Sequence, residues 1–398
     1  MFNTKLIEKN VGQVLKVSFQ RLGPTYVKVG QFISSRPDIF GKPFSSVFAS
    51  LRDKVKPMSK EDVKYVLGNE IEKFSDFNYD PIASASIGQV HKGRLKNGKE
   101  VAVKVKRKGI EDNIERDIEK ILALVIVMEK NIPGLAPNIE KMKSTLINMK
   151  QGILDECDYE MEGRNMVLFR DVYHMDNHIV IPEMLYCNKN VLIMEYITGT
   201  NIFRYVEKHP NKAKSVSVQL MWLFLSKMME NGIMHGDPHA GNFGINETNG
   251  SIVLYDFGNV LKLPYEYRQQ LKELIWFMYL DNKQAMLSQL EKLGGKISNE
   301  GSMLQMLDMY RKYLKTVDIN ELSAMRSVDF VPPIELPDTM LSMIRVYGVV
   351  EGICKRIYPD FNYFDLFESK NIDFLLDDEF LFYKIDKDIK QLAADWFF

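Results

Sequence analysis

The chain has 398 residues, of which 45% are hydrophobic and 26% are charged, and its formal net charge is -1. That length suffices for two domains, or for one large bilobal unit with an extension. A general nucleic-acid-binding protein usually has a basic excess, so the balanced charge argues against that class. The three cysteines, Cys157, Cys187 and Cys354, form no CxxC pair. We therefore expect neither a zinc site nor a disulfide framework, and a reducing compartment fits the composition.

Membrane-spanning segments are not expected either. No stretch reaches the roughly 20 apolar residues that cross a bilayer. The longest candidate, "ILALVIVM" at 121–128, is followed at once by Glu129 and Lys130 and predicts a buried helix. The N-terminus lacks the apolar core of a signal peptide. We expect a soluble intracellular protein or a peripheral membrane protein.

Residues 1–70 predict a helical extension. Apolar residues recur at helical spacing in "VGQVLKVSFQRLG", and Ser59 with Asp62 three residues later has the pattern of a helix N-terminus. Pro37 and Pro43 lie between these helices and interrupt any regular element there.

Residues 71–196 predict a small lobe that contains β-strands and a helical insertion. A small-residue loop at 83–88 precedes two strand-like runs, 89–95 and 100–106. The linker "KNGK" between them contains an Asn-Gly pair, which favours a type I′ hairpin turn. Helices are expected over 110–170, with a break at "NIPGLAPN", before two short apolar strands in "NHIVIPEMLYCNKNVLIMEYITG".

Residues 197–398 predict a larger, mainly helical lobe. The segment "AKSVSVQLMWLFLSKMMENG" is apolar nearly all round, so we expect a buried helix there. The fold class expected from the whole chain is therefore α+β, with a small β-containing lobe and a large helical lobe.

Three sequence motifs occur in the chain order that is typical of phosphoryl-transfer enzymes. Lys104 ends the strand "VAVK", "HGDPHAGN" has the spacing H-x-D-x-x-x-x-N of a kinase catalytic loop, and Asp256 begins Asp-Phe-Gly. Phosphoryl transfer needs a lysine for the α- and β-phosphates, oxygen ligands for Mg²⁺ and an aspartate facing the acceptor. Each motif alone is compatible with a plain strand or turn. Found together in this order, they favour a kinase-like fold.

Four motifs, of which the catalytic loop is one, resemble those of the ABC1/ADCK/UbiB family of atypical kinase-like proteins. "KVGQFISSRPD" is similar to its KxGQ motif, and "ASASIGQVH" is similar to its Ala-rich loop, which replaces a Gly-rich phosphate loop. "ECDYEMEGRN" resembles its ExD motif with the following E-A-x-N, and "HGDPHAGN" resembles its catalytic loop. The resemblance implies a protein-kinase-like bilobal fold with an N-terminal KxGQ extension.

The resemblance also implies a role for each matching residue. Catalytic roles fall to Asp237, Lys104 and its partner Glu162, and the ligands of Mg²⁺ would be Asn242 and Asp256. ATP or ADP would contact Ala83, Ser84, Ala85, Ser86, Val90, Ala102, Lys104, Met194, Glu195 and Ile197. Met194 is equally compatible with a core methionine. Residues 83–87 are also compatible with a plain small-residue turn.

Regulation is expected from the KxGQ segment. The resemblance implies that Lys28 and Gln31 cover the site, with Lys28 near Glu156 and Asp158. The alternative is that Lys28 and Gln31 form the solvated face of an amphipathic helix. No A-P-E follows Asp256, and a helical pattern resumes within about ten residues, which leaves little room to hold a peptide substrate.

Departures from the family pattern are few. Gly163 occupies a position where Ala is usual, Cys157 replaces Leu in the ExD motif, and Ala240 replaces Pro in the catalytic loop. None of these changes removes a charged group, so they leave activity possible.

The function expected on these grounds is a Mg²⁺-ATP-binding atypical kinase or ATPase of the UbiB type, supporting isoprenoid-quinone biosynthesis or lipid homeostasis. The implied partners are nucleotide, a lipid or quinone precursor and a peripheral membrane contact, with no nucleic acid. A non-catalytic nucleotide-dependent regulator and a conventional protein kinase are the alternatives. The apolar segment "FLLDDEFLFYKI" could seat a lipid or partner, although core packing is the more common use of such a segment.

Overall fold

The architecture is taken from a computed structural model that describes residues 4–35, 46–48, 51, 56–131, 136–315, 333–362, 380, 381 and 383. Contacts divide the chain into two compact units. Unit 1 contains residues 1–170 and 182–197, and unit 2 contains residues 171–181 and 198–398. Pro37, Pro43 and most of the apolar segment 374–385 lie outside the described residues. The expected domain limits at 70 and 196 stay predictions.

The regular elements follow the predicted order along the chain. The helices are α1 (Thr4–Leu22), α2 (Pro24–Ser35), α3 (Lys60–Leu67), α4 (Ile110–Asn131), α5 (Ala136–Asp155), α6 (Tyr159–Val172), α7 (Ile202–Lys208), α8 (Ala213–Asn231), α9 (Tyr265–Tyr279), α10 (Lys283–Lys292), α11 (Glu300–Lys315) and α12 (Asp338–Ile357). The strands are β1 (Phe74–Phe77), β2 (Ala83–Ser84), β3 (Gly88–Leu95), β4 (Glu100–Lys106), β5 (Ile179–Val180), β6 (Met184–Cys187), β7 (Val191–Glu195), β8 (Ile233–His235), β9 (Phe243–Ile245), β10 (Ile252–Leu254), β11 (Val260–Lys262), β12 (Lys296–Ile297) and β13 (Ile334–Glu335). None of the helices within the described ranges is long and apolar enough to cross a membrane.

Unit 1 is built around an antiparallel sheet in the order β1-β3-β4-β7-β6, with β2 paired to β3. Side chains of a strand alternate between the two faces, and burial along β4 follows that alternation. Val101, Val103 and Val105 point to one face, where they pack with Val63 and Leu67 of α3. The opposite face carries Lys104, one of the predicted site residues.

The β3–β4 hairpin has the predicted strands but not the predicted turn. Among the described non-glycine residues only Asp281 has a positive φ, so Asn97 does not, although a type I′ turn would require it. Gly98 has φ +88°, its N–H donates to Leu95 O, and Leu95 N–H donates to Lys99 O. This is a three-residue loop with glycine at the left-handed position, and the type I′ prediction was wrong.

A second core in unit 1 joins the N-terminal helices to α4 and α5. Val29 and Ile33 of α2 belong to it, together with Phe48, Leu51 and several residues of α4 and α5. Gly30 allows this close approach, because a Cβ at that position would lie 2.3 Å from Leu51 Cδ1. The glycine of the KxGQ motif, Gly30, is therefore explained by packing.

Unit 2 contains the long buried helix α8, as its continuous apolar pattern predicts. The helix ends at Gly232, whose φ of +72° is the left-handed conformation favoured at helix C-termini. The chain then enters β8, which pairs with β11, while β9, β10 and β5 form a three-stranded sheet. The motifs "HGD" and Asp-Phe-Gly thus lie at the ends of short strands.

Candidate active site

Lys104 and Glu162 form a close ion pair in unit 1, 58 residues apart in sequence. Lys104 Nζ donates to Glu162 Oε1 at 2.8 Å and to Oε2 at 2.7 Å. Glu162 lies in the first turn of α6 and is 1% exposed, whereas the Lys104 side chain is 18% exposed. The ammonium also lies 5.2 Å from the centre of the Tyr159 ring. Strand β4 and helix α6 therefore hold one partly accessible ammonium against one buried carboxylate.

Four of the residues that are predicted to contact nucleotide lie on one face of the sheet. Val90 lies opposite Lys104 in the β3–β4 register, and Ala102 lies opposite Met194 in the β4–β7 register. Because Ala102 and Lys104 are two residues apart on one strand, all four side chains point to the same face. Val90, Ala102 and Lys104 are half-buried, whereas Met194 is buried. The arrangement provides a small apolar wall beside one cation.

Glu195 and Ile197 lie where β7 ends. The Glu195 N–H donates to Glu183 O at 2.9 Å, which fixes the strand to β6. Within the described part of the chain, the Ile197 N–H makes no hydrogen bond. The backbone after Met194 therefore offers a donor that pairing of β7 does not use.

The predicted small-residue loop is instead a short hairpin. Ala83 and Ser84 form β2 and pair with Val90 and Gln89 of β3, and Ala85 N–H closes the turn by donating to Gly88 O at 2.9 Å. Ala83 and Ala85 are exposed, Ser84 is half-buried and Ser86 is buried. Residues 83–90 are called the Ala-rich hairpin below. The expected loop is therefore confined to the turn at residues 85–88, because Ala83 and Ser84 pair with β3.

The KxGQ segment places Lys28 against Glu156. Lys28 Nζ lies 2.8 Å from Glu156 Oε2, with the two side chains 22% and 38% exposed. Gln31 is half-buried one turn further along α2. Asp158 lies two residues further on, and its carboxylate accepts from Met161 N–H at 2.8 Å at the start of α6. That contact is an N-cap, and the expected proximity of Asp158 to Lys28 stays a prediction.

In unit 2, the catalytic-loop residues form a connected group. Asn242 Nδ2 donates to Asp237 Oδ2 at 2.9 Å and to the Asp237 carbonyl at 3.1 Å. Because the amide donates through Nδ2, its Oδ1 is the atom left for a metal. Asp237 is exposed and Asn242 is half-buried, so both can reach a ligand.

His235 connects this loop to Asp256. Its Nδ1 accepts from the Asp237 N–H at 3.2 Å, and its Nε2 contacts the Asp256 carbonyl at 2.6 Å. A carbonyl can only accept, so His235 is the neutral tautomer with its proton on Nε2. The side chain is 3% exposed and contacts the buried Phe257 edge-on. His235 therefore has a structural role, because both of its ring nitrogens are occupied by backbone groups of these loops.

Asp256 and the residues after it are fixed by two backbone contacts. Asp256 Oδ1 accepts from Gly258 N–H at 2.9 Å, and the Asn259 carbonyl accepts from Gly236 N–H at 2.9 Å. A Cβ at Gly236 would lie 2.4 Å from Asn259 Oδ1, so glycine is required in "HGD" for close approach. Asp237, Asn242 and Asp256 are thereby set on one rigid group of loops.

The donor set fits magnesium better than a transition metal. Mg²⁺ takes oxygen ligands and is often held by one or two protein groups plus phosphates and water. Asn242 and Asp256 supply such oxygens. Over the described residues, no three His, Cys, Asp or Glu side chains gather as a closed metal site would require.

Three further residues shape these groups, and sequence inspection missed two of them, Tyr159 and Arg107. Tyr159 lies beneath Lys104, His235 joins the two loops, and Arg107 donates to the Ala-rich hairpin. Burial lowers the pKa of Arg107, and burial lowers the pKa of His91 in the same sheet. Only His235 left a signal, because it begins the catalytic-loop motif.

Comparison with known proteins identifies the class. The family model described as the ABC1 atypical kinase-like domain matches residues 50–290. That match covers more than half of the chain, and the chain belongs to the ABC1 atypical kinase-like family. Its mixed antiparallel sheet and helices are accordingly a kinase-like fold.

Similar proteins come from bacteria and plants. An uncharacterized Synechocystis protein, sll1770, is 27% identical over 86% of this chain and 61% of its own length. ACTIVITY OF BC1 COMPLEX KINASE 7, chloroplastic, from Arabidopsis thaliana is 29% identical over 88% of this chain and 52% of its own length. A probable protein kinase UbiB from Sodalis glossinidius is 30% identical over 67% of this chain and 51% of its own length. The chain thus spans about half to three fifths of the length of these relatives.

One solved structure supports the same class. The structure of Rv3197 from Mycobacterium tuberculosis, solved in complex with erythromycin, matches with a TM-score of 0.63 and 26% identity. The match covers 89% of this chain and 93% of that chain. The kinase-like architecture is therefore shared over nearly the full length of both chains.

Proposed function

We propose that this protein binds Mg²⁺-ATP and acts as an atypical kinase or ATPase. Lys104 would contact the α- and β-phosphates and Glu162 would orient it, while Val90, Ala102 and Met194 would contact the base. In unit 2, Asn242 and Asp256 would hold Mg²⁺, and Asp237 would accept the proton of the attacking hydroxyl or water. ADP would occupy the same groups after transfer.

The observation that carries the proposal is the Lys104–Glu162 pair. Burying a carboxylate at 1% exposure is costly unless a cation compensates it, and a structural pair would be cheaper as two apolar residues. In protein kinases the equivalent lysine–glutamate pair must form before phosphoryl transfer occurs. An accessible ammonium fixed by a buried glutamate is what binding of a phosphate needs.

The unit 2 loops supply the second support. His235 fixes the backbone on both sides, so Asp237 and Asp256 do not have to be ordered when ligand binds. Preorganised groups of this kind stabilise developing charge at low reorganisation cost. Magnesium, when bound, neutralises phosphate charge and bridges phosphate oxygens.

The acceptor that we propose is water or a small molecule. Helix α9 begins at Tyr265, shortly after Asp256, so the intervening residues leave little chain to hold a peptide. The resemblance to UbiB supports a role in isoprenoid-quinone biosynthesis or lipid homeostasis as part of the proposal. A lipid or quinone precursor is the acceptor class that this role implies.

The test replaces Asp237 by asparagine and measures nucleotide binding and turnover separately. We expect binding of Mg²⁺-ATP to be retained and single-turnover hydrolysis to fall by about 100-fold or more, because proton acceptance is lost. Asp256→Asn should instead weaken binding of Mg²⁺-ATP relative to ATP in EDTA, because a metal ligand is lost.

The matched control is Asp360→Asn, which changes an exposed carboxylate in unit 2 outside these loops. It should leave both measurements unchanged. Equal hydrolysis by the parent and Asp237→Asn would contradict the role of Asp237. Binding without turnover in the parent would favour a nucleotide-dependent regulator, and phosphorylation of added peptides would favour a conventional protein kinase.

A further inference from the structure

The Ala-rich hairpin has few contacts of its own with which to hold its shape. Its short arm, β2, contributes two residues, and one backbone bond, from Ala85 N–H to Gly88 O, closes the turn. A two-stranded hairpin this short is marginally stable in isolation. Other parts of unit 1 must therefore fix it.

Arg107 supplies two side-chain hydrogen bonds of that support. Its Nε donates to the Ala85 carbonyl at 2.9 Å and its Nη2 donates to Ser84 Oγ at 3.0 Å. Its backbone N–H donates to the Ile87 carbonyl at 2.8 Å. The guanidinium is a rigid planar fork, so these contacts fix both position and orientation of the hairpin. Arg107 directly follows β4, the strand that carries Lys104, so the lysine and the support of the hairpin belong to the same segment of chain.

The same guanidinium reaches the segment that leads from the KxGQ helix into α3. Arg107 Nη2 also donates to the Lys56 carbonyl at 3.0 Å. Two residues later, Met58 N–H donates to Gln89 Oε1 at 2.8 Å. Residues 56–58, called the connector here, are thus bonded to the hairpin directly at Gln89 and, through Arg107, to Ser84 and Ala85.

An apolar contact joins the same parts. Ile87, at the turn of the hairpin, is 8% exposed and belongs to the core that contains Val29 and Ile33 of α2. The hairpin is therefore attached to the N-terminal helices through Ile87 and to the connector through Arg107. A shift of either would be transmitted to the hairpin.

The charge on Arg107 is not matched by an acid. Its three acceptors are two carbonyls and a hydroxyl, and no carboxylate of the described residues lies within ion-pair distance. Burial consequently lowers its pKa, yet a guanidinium stays protonated at ordinary pH. Replacement by lysine retains that charge and removes the fork, which allows the two contributions to be separated.

We infer that Arg107 is a positioning residue that sets nucleotide affinity by holding the Ala-rich hairpin to the connector of the KxGQ segment. Arg107 acts through the hairpin and is not itself a catalytic residue. The inference depends on the proposed function for its effect on nucleotide. The structural link between Arg107, the hairpin and the connector can be tested without nucleotide.

The experiment compares Arg107→Lys and Arg107→Gln with the parent protein. We expect KM for ATP and Kd for Mg²⁺-ATP to rise about tenfold in both variants. A change of that size corresponds to the loss of one charge-assisted hydrogen bond. The kcat should stay within about twofold, because no group that contacts the reacting atoms has changed. Hydrogen exchange in nucleotide-free protein should accelerate at residues 83–88 and 56–58, and less so for lysine than for glutamine.

Lys108→Gln is the matched control. It removes one positive charge from the adjacent residue, which lies 3.5 Å from Asp62 and over the Tyr65 ring, away from the hairpin. The control should leave KM, Kd and exchange at residues 83–88 unchanged. Unchanged exchange and affinity in both Arg107 variants would overturn the inference, as would an equal response in Lys108→Gln.

Two further outcomes are distinguishable. If the parent binds no nucleotide, the proposed function fails, while hydrogen exchange still decides whether Arg107 holds the hairpin. If circular dichroism shows that the Arg107 variants do not fold, Ser84→Ala removes one acceptor of the same guanidinium. Faster exchange at residues 83–88 in Ser84→Ala would support the inference, and exchange equal to the parent would overturn it.

Discussion

Replacing Lys104 by methionine should destabilise unit 1 as well as impair nucleotide binding. The substitution leaves Glu162 at 1% exposure without its cation. At a separation near 2.7 Å and an effective dielectric constant of about 20, the lost attraction is about 6 kcal/mol before desolvation is counted. Breaking a buried pair from one side typically costs about 3–5 kcal/mol. We expect a loss in that range for Lys104→Met.

A second substitution separates the uncompensated charge from the lost packing. In Lys104→Met with Glu162→Gln, an amide of similar shape replaces the buried carboxylate, so about 2 kcal/mol or more of the loss should be recovered. The double-mutant cycle then gives a coupling free energy for the pair. Lys92→Met is the control, because Lys92 lies on the same face and contacts Glu100 at 2.9 Å with both side chains more than a third exposed. An exposed pair of that kind is screened by solvent, so Lys92→Met should change stability much less than Lys104→Met.

The assay must report on unit 1. Trp222 and Trp276, the tryptophans of the described residues, lie in unit 2, so their fluorescence does not follow unit 1. Hydrogen exchange at the β4 amides measures the free energy of opening the sheet. If Lys104→Met and the double variant lose the same free energy, the buried charge is not what destabilises the single variant, and the argument from Glu162 burial is refuted.

Three smaller predictions follow from packing and titration, each measured by denaturation followed with far-UV circular dichroism. Gly163→Ala should cost about 1–3 kcal/mol, since its Cβ would lie 2.8 Å from Cys187 Sγ, but should be tolerated when Cys187→Ala is also present; equal losses in both backgrounds would contradict this. Gly30→Ala should destabilise by a similar amount, whereas Gly152→Ala, with open space around it, should stabilise by up to about 1 kcal/mol; stabilisation by both would argue against the contact with the second core. Burial lowers the pKa of His91 below 6.5, so its contribution to stability is present in full above about pH 6.5 and lost as pH falls further. The parent should therefore lose stability relative to His91→Asn over that range, and parallel pH profiles would rule this out.

Sequence patterns located the elements that have local causes. Two strand-like runs on either side of an Asn-Gly pair located β3 and β4, and Ser59 located the start of α3, where its side chain accepts from Asp62 N–H. The turn between β3 and β4 was mispredicted, because Asn-Gly favours a type I′ turn without excluding a three-residue loop. Local propensity thus identified the hairpin but did not determine the type of its turn.

Contacts between distant side chains and backbone could not be predicted in this way. Arg107 donates to the carbonyl of Lys56, 51 residues away, and Lys99 donates to Glu183, 84 residues away. Neither contact imposes a period or a spacing on the sequence. The Lys104–Glu162 pair was predictable only because a family motif marks both residues, since a long helical insertion separates them.

The two histidines of "HGDPHAGN" show why this stretch needs more than turn-forming residues. His235 Nδ1 accepts from Asp237 N–H, and His239 Nδ1 accepts from Gly241 N–H at 3.0 Å. Both imidazoles therefore accept hydrogen bonds from backbone N–H groups inside the loop. In a flexible segment, water would accept those hydrogen bonds instead. The Asp237 carboxylate, which accepts from Asn242, is thereby left at the surface with its backbone already fixed. A loop arranged in this way presents charge without ordering cost, which a plain Gly-Pro turn does not achieve.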